Sequence, residues 1–102
     1  FILSKNTELP ITFALNQNYP NPFNPTTKIR YSIELYGHVN LTIYDLNGRK
    51  VQQLVNESQS AGNKTIIWNG KDEFGKPVSA GVYLYKIQAD KFIETRKMIL
   101  MK

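Results

Sequence analysis

The chain has 102 residues, 41% of them hydrophobic and 12% aromatic, with thirteen Lys and Arg against eight Asp and Glu for a net charge of +5 and no cysteine. That size suits one domain with one modest core, and the apolar content is enough to offset the entropy of ordering the chain. The missing cysteines exclude disulfides, thiolate nucleophiles and cysteine-based metal sites, so a fold this small must rest on its core; the compartment stays open.

Residues 1–12 mix polar and apolar side chains without period, and Pro10 would interrupt a ladder, so they read as a linker from a preceding domain. Residues 13–102 are then the folded domain. The opening Phe1-Ile2-Leu3-Ser4-Lys5 lacks the form of a signal peptide, so the targeting segment of an exported protein would lie upstream. No apolar run approaches the length of a transmembrane span.

A short strand is expected around Phe13 to Leu15. The next stretch, Asn18-Tyr19-Pro20-Asn21-Pro22-Phe23-Asn24-Pro25, carries three prolines that remove donors and hold their predecessors extended. It reads as a stiff structural clip with Tyr19 and Phe23 as apolar pegs.

From Lys28 the period is two. Ile29, Tyr31, Ile33 and Leu35 alternate with Lys28, Arg30, Ser32 and Glu34, the pattern of a half-buried strand. Val39, Leu41 and Ile43 continue it into Asp45-Leu46-Asn47-Gly48, where Asn-Gly predicts a tight hairpin turn with positive φ angles and a return strand over Arg49 to Val55. Asn56 to Gly62 reads as turn, Lys64 to Trp68 as strand, and Asn69 to Pro77 as a loop rich in turn residues. Val82 to Ile87 and Phe92 to Met101 are the last strands. The continuous apolar run Met98 to Met101 predicts a final strand that is central or covered on both faces. Seven or so strands with turn signals every 8 to 12 residues describe an all-β antiparallel sandwich.

Residues suited to catalysis are scarce. His38 is the only histidine, and a turn histidine is its simplest reading. Asp72 and Glu73 would point apart on a strand, so they do not make a paired-carboxylate site. The loop from Asn69 to Gly75 has oxygen ligands for calcium without the regular spacing of an EF-hand, and Asx-turn hydrogen bonding is the preferred reading. The chain is therefore expected to be non-enzymatic, with no cofactor and no metal. Its basic residues are dispersed, which fits wet strand faces better than a nucleic-acid patch. A row of exposed aromatics drawn from Tyr36, Tyr44 and Trp68 would instead mark a carbohydrate-binding module, with Tyr44 the best candidate for exposure.

Gln17 to Pro25 followed by Thr27-Lys28-Ile29-Arg30-Tyr31 closely resembles the opening of the type A C-terminal sorting domain of the bacterial type IX secretion system. Ile43 to Val51, Trp68-Asn69-Gly70, Gly81-Val82-Tyr83-Leu84-Tyr85 and Lys97-Met98-Ile99-Leu100 resemble that family in the same order, and the whole is similar to the immunoglobulin-like domain of the flagellar hook-capping protein. The resemblance implies a seven-stranded, immunoglobulin-like β-sandwich that directs an N-terminal passenger in the same polypeptide from the periplasm across the outer membrane. The passenger is then anchored at the cell surface or released, and the partners are the outer-membrane secretion machinery and its processing peptidase. The recognition role carries onto Arg96, Lys97, Met98, Leu100 and Lys102, with Gly81 and Tyr83 in the same signature. Asn69 stands where the family commonly has aspartate, and residues 33–38 lack a proline often found after that strand. An edge near the final strand is expected to be open for docking by strand addition.

Overall fold

The computed structural model describes residues 10–102, so most of the expected linker lies outside the described residues. Seven strands form two antiparallel sheets: β1 (Ala14–Leu15), β2 (Thr27–Ile33), β3 (Gly37–Tyr44), β4 (Lys50–Gln59), β5 (Gly62–Trp68), β6 (Gly81–Ala89) and β7 (Phe92–Leu100). One sheet has the order β1-β2-β5 and the other β4-β3-β6-β7. This is the expected immunoglobulin-like sandwich.

The period-two pattern of β2 is realised residue by residue. Ile29, Tyr31 and Ile33 are buried while Lys28 and Arg30 are exposed. They face Val39, Leu41 and Ile43 of β3 and Tyr83, Tyr85 and Ile87 of β6 in one continuous core, with Trp68, Met98 and Leu100 at one end. The Trp68 ring meets Tyr83 edge-on at 5.5 Å and Phe23 at 5.7 Å.

Several boundaries differ from those the sequence predicts. The return strand β4 runs on to Gln59, because the polar residues Asn56 to Gln59 pair with Gly37 to Asn40 at the exposed end of an edge strand, where no apolar alternation is needed. Two register shifts insert Leu54 and Val51 into β4, bulges that suit an edge. The hairpin before β4 is a four-residue turn. Gly48 N–H donates to Asp45 C=O (3.0 Å), Asp45 N–H donates to Arg49 C=O (3.0 Å), and Gly48 alone takes a positive φ of 84°. The cause is Asp45, whose Oδ1 accepts from Asn47 N–H (2.9 Å) and Arg49 N–H (3.0 Å) and so fixes the wider turn.

The final strand is an edge strand, not a central one. Met98 and Leu100 point into the core, whereas Ile99 and Met101 are 38% and 51% exposed. A four-residue apolar run cannot distinguish two buried faces from one buried face plus lateral cover, and here the cover comes from the proline segment.

Candidate functional site

The Asn-Pro segment runs along the outer edge of β7. Phe23 N–H donates to Ile99 C=O (2.9 Å), and Met101 N–H donates to Phe23 C=O (2.8 Å). Asn21 Oδ1 accepts from Ile99 N–H (3.0 Å), and Gln17 Nε2 donates to Lys97 C=O (2.8 Å). These partners show that odd-numbered residues of β7 turn their backbone groups away from β6. The edge expected to be open is therefore sealed from the Lys97 carbonyl to Met101, while the outward groups of Ile93 and Thr95 and the Lys97 N–H have no such partner among the described residues.

Of the two aromatic residues expected as apolar pegs, Phe23 is 2% exposed and Tyr19 is 75% exposed. Tyr19 exchanges both backbone hydrogen bonds with Lys28 at 2.9 Å, and strand alternation then turns its ring outward and its neighbour Asn18 inward. Asn18 is the anchor that sequence reasoning missed. Its Nδ2 donates to Thr27 Oγ1 (3.0 Å) and Pro20 C=O (3.2 Å), its Oδ1 accepts from Gln17 Nε2 (2.6 Å), and its N–H donates to the Tyr85 hydroxyl (2.8 Å). The Tyr85 hydroxyl donates in turn to Asn16 C=O (2.7 Å). No period or motif spacing marks a lone asparagine before a tyrosine as buried. Pro20, Asn21, Pro22, Asn24 and Pro25 remain at the surface, with all three X-Pro bonds cis.

The residues onto which the recognition role was carried converge on β6 and β7. Gly81 pairs with Leu100 and Tyr83 with Met98. Tyr83, Met98 and Leu100 are buried, and the Tyr83 hydroxyl donates to Ser79 C=O (2.6 Å). Lys97 and Lys102 are exposed. Arg96 is occupied: its Nε donates to Leu15 C=O (2.7 Å) across the sandwich edge, and its Nη2 lies 3.1 Å from Glu94. Burial pushes the phenols of Tyr85, Tyr31 and Tyr83 above their ordinary range, with Gln59 opposing the shift at Tyr31 and Asn18 at Tyr85.

The loop after β5 shows the Asx-turn arrangement. Asn69 Oδ1 accepts from Lys71 N–H (3.2 Å), and Asp72 Oδ1 accepts from Phe74 and Lys76 N–H (both 2.9 Å). Trp68 is 1% exposed and its Nε1 donates to Lys71 C=O (2.9 Å), so it belongs to the core and cannot join a sugar platform. Tyr36 is exposed and Tyr44 half-buried. Lying at opposite ends of β3, they are about 26 Å apart along the strand and form no row. His38 sits on β3 itself, exposed, with Nε2 2.7 Å from Asn56 Oδ1.

The immunoglobulin-like domain family of the hook-capping protein FlgD matches residues 27–91. The chain belongs to that family. A search of curated proteins finds no match. Among solved structures, dimeric latent PorU from Porphyromonas gingivalis superposes with a TM-score of 0.71 at 20% identity, over 93% of this chain and 10% of PorU. PorZ of the same organism, an essential surface component of its type IX secretion system, gives 0.60 at 20% identity, over 88% of this chain and 11% of PorZ. FlgD from Xanthomonas campestris gives 0.60 at 23% identity, over 87% of this chain and 65% of that one. The chain spans about a tenth of PorU and PorZ, and the likeness is one of fold.

Proposed function

We propose that this immunoglobulin-like domain is a non-enzymatic C-terminal sorting signal, which directs a passenger fused ahead of it across the outer membrane for surface anchoring or release. The observation that carries the reading is the divided character of the last strand. Met98 and Leu100 lock it into the core beside Gly81 and Tyr83, while Ile99 and Met101, flanked by Lys97 and Lys102, present an apolar strip with basic ends outward. Such a strip can be read by a partner without unfolding the domain. The motif order shared with the type A sorting family, and the fold shared with PorZ, support the same reading. The partners would be the outer-membrane machinery and its processing peptidase, and the route would pass through the periplasm to the surface or medium.

The test fuses a periplasm-exported fluorescent passenger to Phe1–Lys102 in a bacterium that has this secretion system. Two variants are compared with the parent: Lys97→Ala with Lys102→Ala, and deletion of Met101 and Lys102. Both spare Met98 and Leu100, so the core is kept. Surface or extracellular fluorescence for the parent and periplasmic retention of the variants is the expected result. Retention of all three, with the domain folded, would reject the sorting role.

A further inference from the structure

The proline segment and β2 enclose a cleft of about 400 Å³ with mostly apolar walls, lined by Asn16, Gln17, Tyr19, Thr26, Lys28 and Arg30. Tyr19 lines it and is exposed. Lys28 and Arg30 alternate on the outer face of β2, about 7 Å apart along the strand. Their neighbours across β5 are Ile67 and Thr65, both uncharged. Neither cation has a carboxylate within 4.0 Å among the described residues. Two cations without a carboxylate partner among the described residues, beside an exposed aromatic ring, favour an anionic ligand with a flat apolar face.

The backbone of the cleft narrows the class further. Lys28 spends both its N–H and its C=O on Tyr19, and Arg30 C=O accepts from Asn16 N–H. A peptide therefore cannot join this side of β2 as an added strand, and recognition falls to side chains. Single-stranded nucleic acid would need successive stacking aromatics along the cationic row. The outer faces of β2 and β5 offer Lys28, Arg30, Ser32, Asn63, Thr65 and Ile67, with no aromatic among them. We propose that this cleft binds an acidic sugar, one pyranose ring stacking on Tyr19 while its carboxylate or phosphate meets Lys28 and Arg30. Asn16 and Thr26 supply amide and hydroxyl partners for the ring hydroxyls, and Gln17, whose Nε2 is held by Asn18 and Lys97, adds its Oε1 as an acceptor. The proposal does not depend on the sorting role, which uses the β7 strip.

The ¹⁵N-labelled chain Phe1–Lys102 is titrated with trigalacturonate, its methyl ester, glucose 6-phosphate, inorganic phosphate and an oligothymidylate at about 0.15 M salt. Saturable amide shifts confined to Asn16–Tyr19 and Thr26–Arg30 are expected with an acidic sugar. Whether the carboxylate or the phosphate sugar binds tighter identifies the preferred anion. The ester should bind about three- to fivefold more weakly, as should Lys28→Gln and Arg30→Gln with the acidic sugar. Tyr19→Ala should weaken binding by up to about tenfold, and Lys71→Gln, on the loop after β5, should change nothing. All four positions are exposed, so the variants keep the parent's amide dispersion. No saturation with either acidic sugar, shifts centred elsewhere, or equal binding of the ester, inorganic phosphate or the oligothymidylate would overturn the proposal.

Discussion

Phe23 lies parallel to Leu100, the one parallel bridge among the described residues, with its N–H donated to Ile99 C=O and its C=O accepting from Met101 N–H. A residue 77 positions earlier in the chain thus takes the place of a neighbouring strand for the last residues of β7. The same residue drops its ring into the core against Trp68, so sealing the edge and filling the core end are one structural event.

Phe23→Ala should therefore destabilise the domain by about 3–5 kcal/mol, the usual cost of truncating a buried phenylalanine. It should also speed amide exchange at Met101, whose acceptor is the Phe23 carbonyl. A urea midpoint reduced by less than about 1 kcal/mol in stability would show that the segment is draped on the sandwich without anchoring it.

Along β7 the outward amides divide into two groups. Ile99 and Met101 donate to the clip, whereas the N–H groups of Ile93, Thr95 and Lys97 have no acceptor among the described residues. Hydrogen exchange at neutral pH should give strong protection for Ile99 and Met101 and weak protection for Ile93 and Thr95. Asn21→Ala should lower protection at Ile99 while costing only about 0.5–1.5 kcal/mol, because water can replace an exposed acceptor.

The strands of this fold were legible wherever one face had to be apolar. Ile29, Tyr31 and Ile33 declare β2 by period alone, and the family motifs from Ile43 to Leu100 placed the sandwich. What stayed hidden depends on edges. Asn56 to Gln59 form strand without an apolar face, the Met98–Met101 run is inward on one side only, and Asn18 is buried through hydrogen bonds to residues as distant as Tyr85. Tyr19 was misjudged because an aromatic in a proline-rich clip has no period from which to read its side. The cleft beside it depends on that outward turn.

The Asp45 carboxyl is held below the usual carboxylate range, first by the Arg49 N–H and then by the Asn47 N–H, with the Arg49 guanidinium 3.5 Å from Oδ2 adding to the effect. A depressed folded-state value means stability that is present above the ordinary value near 4 and is lost as pH falls through the folded value. The urea midpoint should decline as pH falls below about 4, and Asp45→Asn should flatten that decline. An unchanged acid slope in the variant would assign it to other carboxylates.

Gly70 has a φ of 75°, and a Cβ there would meet the Pro25 carbonyl at 3.0 Å. Gly70→Ala combines left-handed strain with a clash against the clip, so a loss of about 1–3 kcal/mol is expected, with looser packing of Pro25 seen as shifted resonances around Phe23. A neutral substitution would mean that the loop moves freely with respect to the clip.

Tyr85 joins the core to the clip through two hydrogen bonds, donating to Asn16 C=O and accepting from Asn18 N–H. Tyr85→Phe keeps the ring and strands the buried Asn18 N–H and the part-buried Asn16 C=O, so about 1–3 kcal/mol should be lost at neutral pH. Burial raises the phenol above its ordinary value of about 10, so the folded state favours the protonated form. The stabilising contribution is complete below about pH 10 and disappears as pH rises through the folded value. The wild-type chain should thus lose stability steeply above about pH 10. Tyr85→Phe should lose it less steeply, with the remaining slope carried by Tyr31 and Tyr83, whose phenols are raised by burial as well. Denaturation midpoints taken across that range decide it, and identical alkaline slopes would mean that burial does not hold the Tyr85 phenol above its ordinary value.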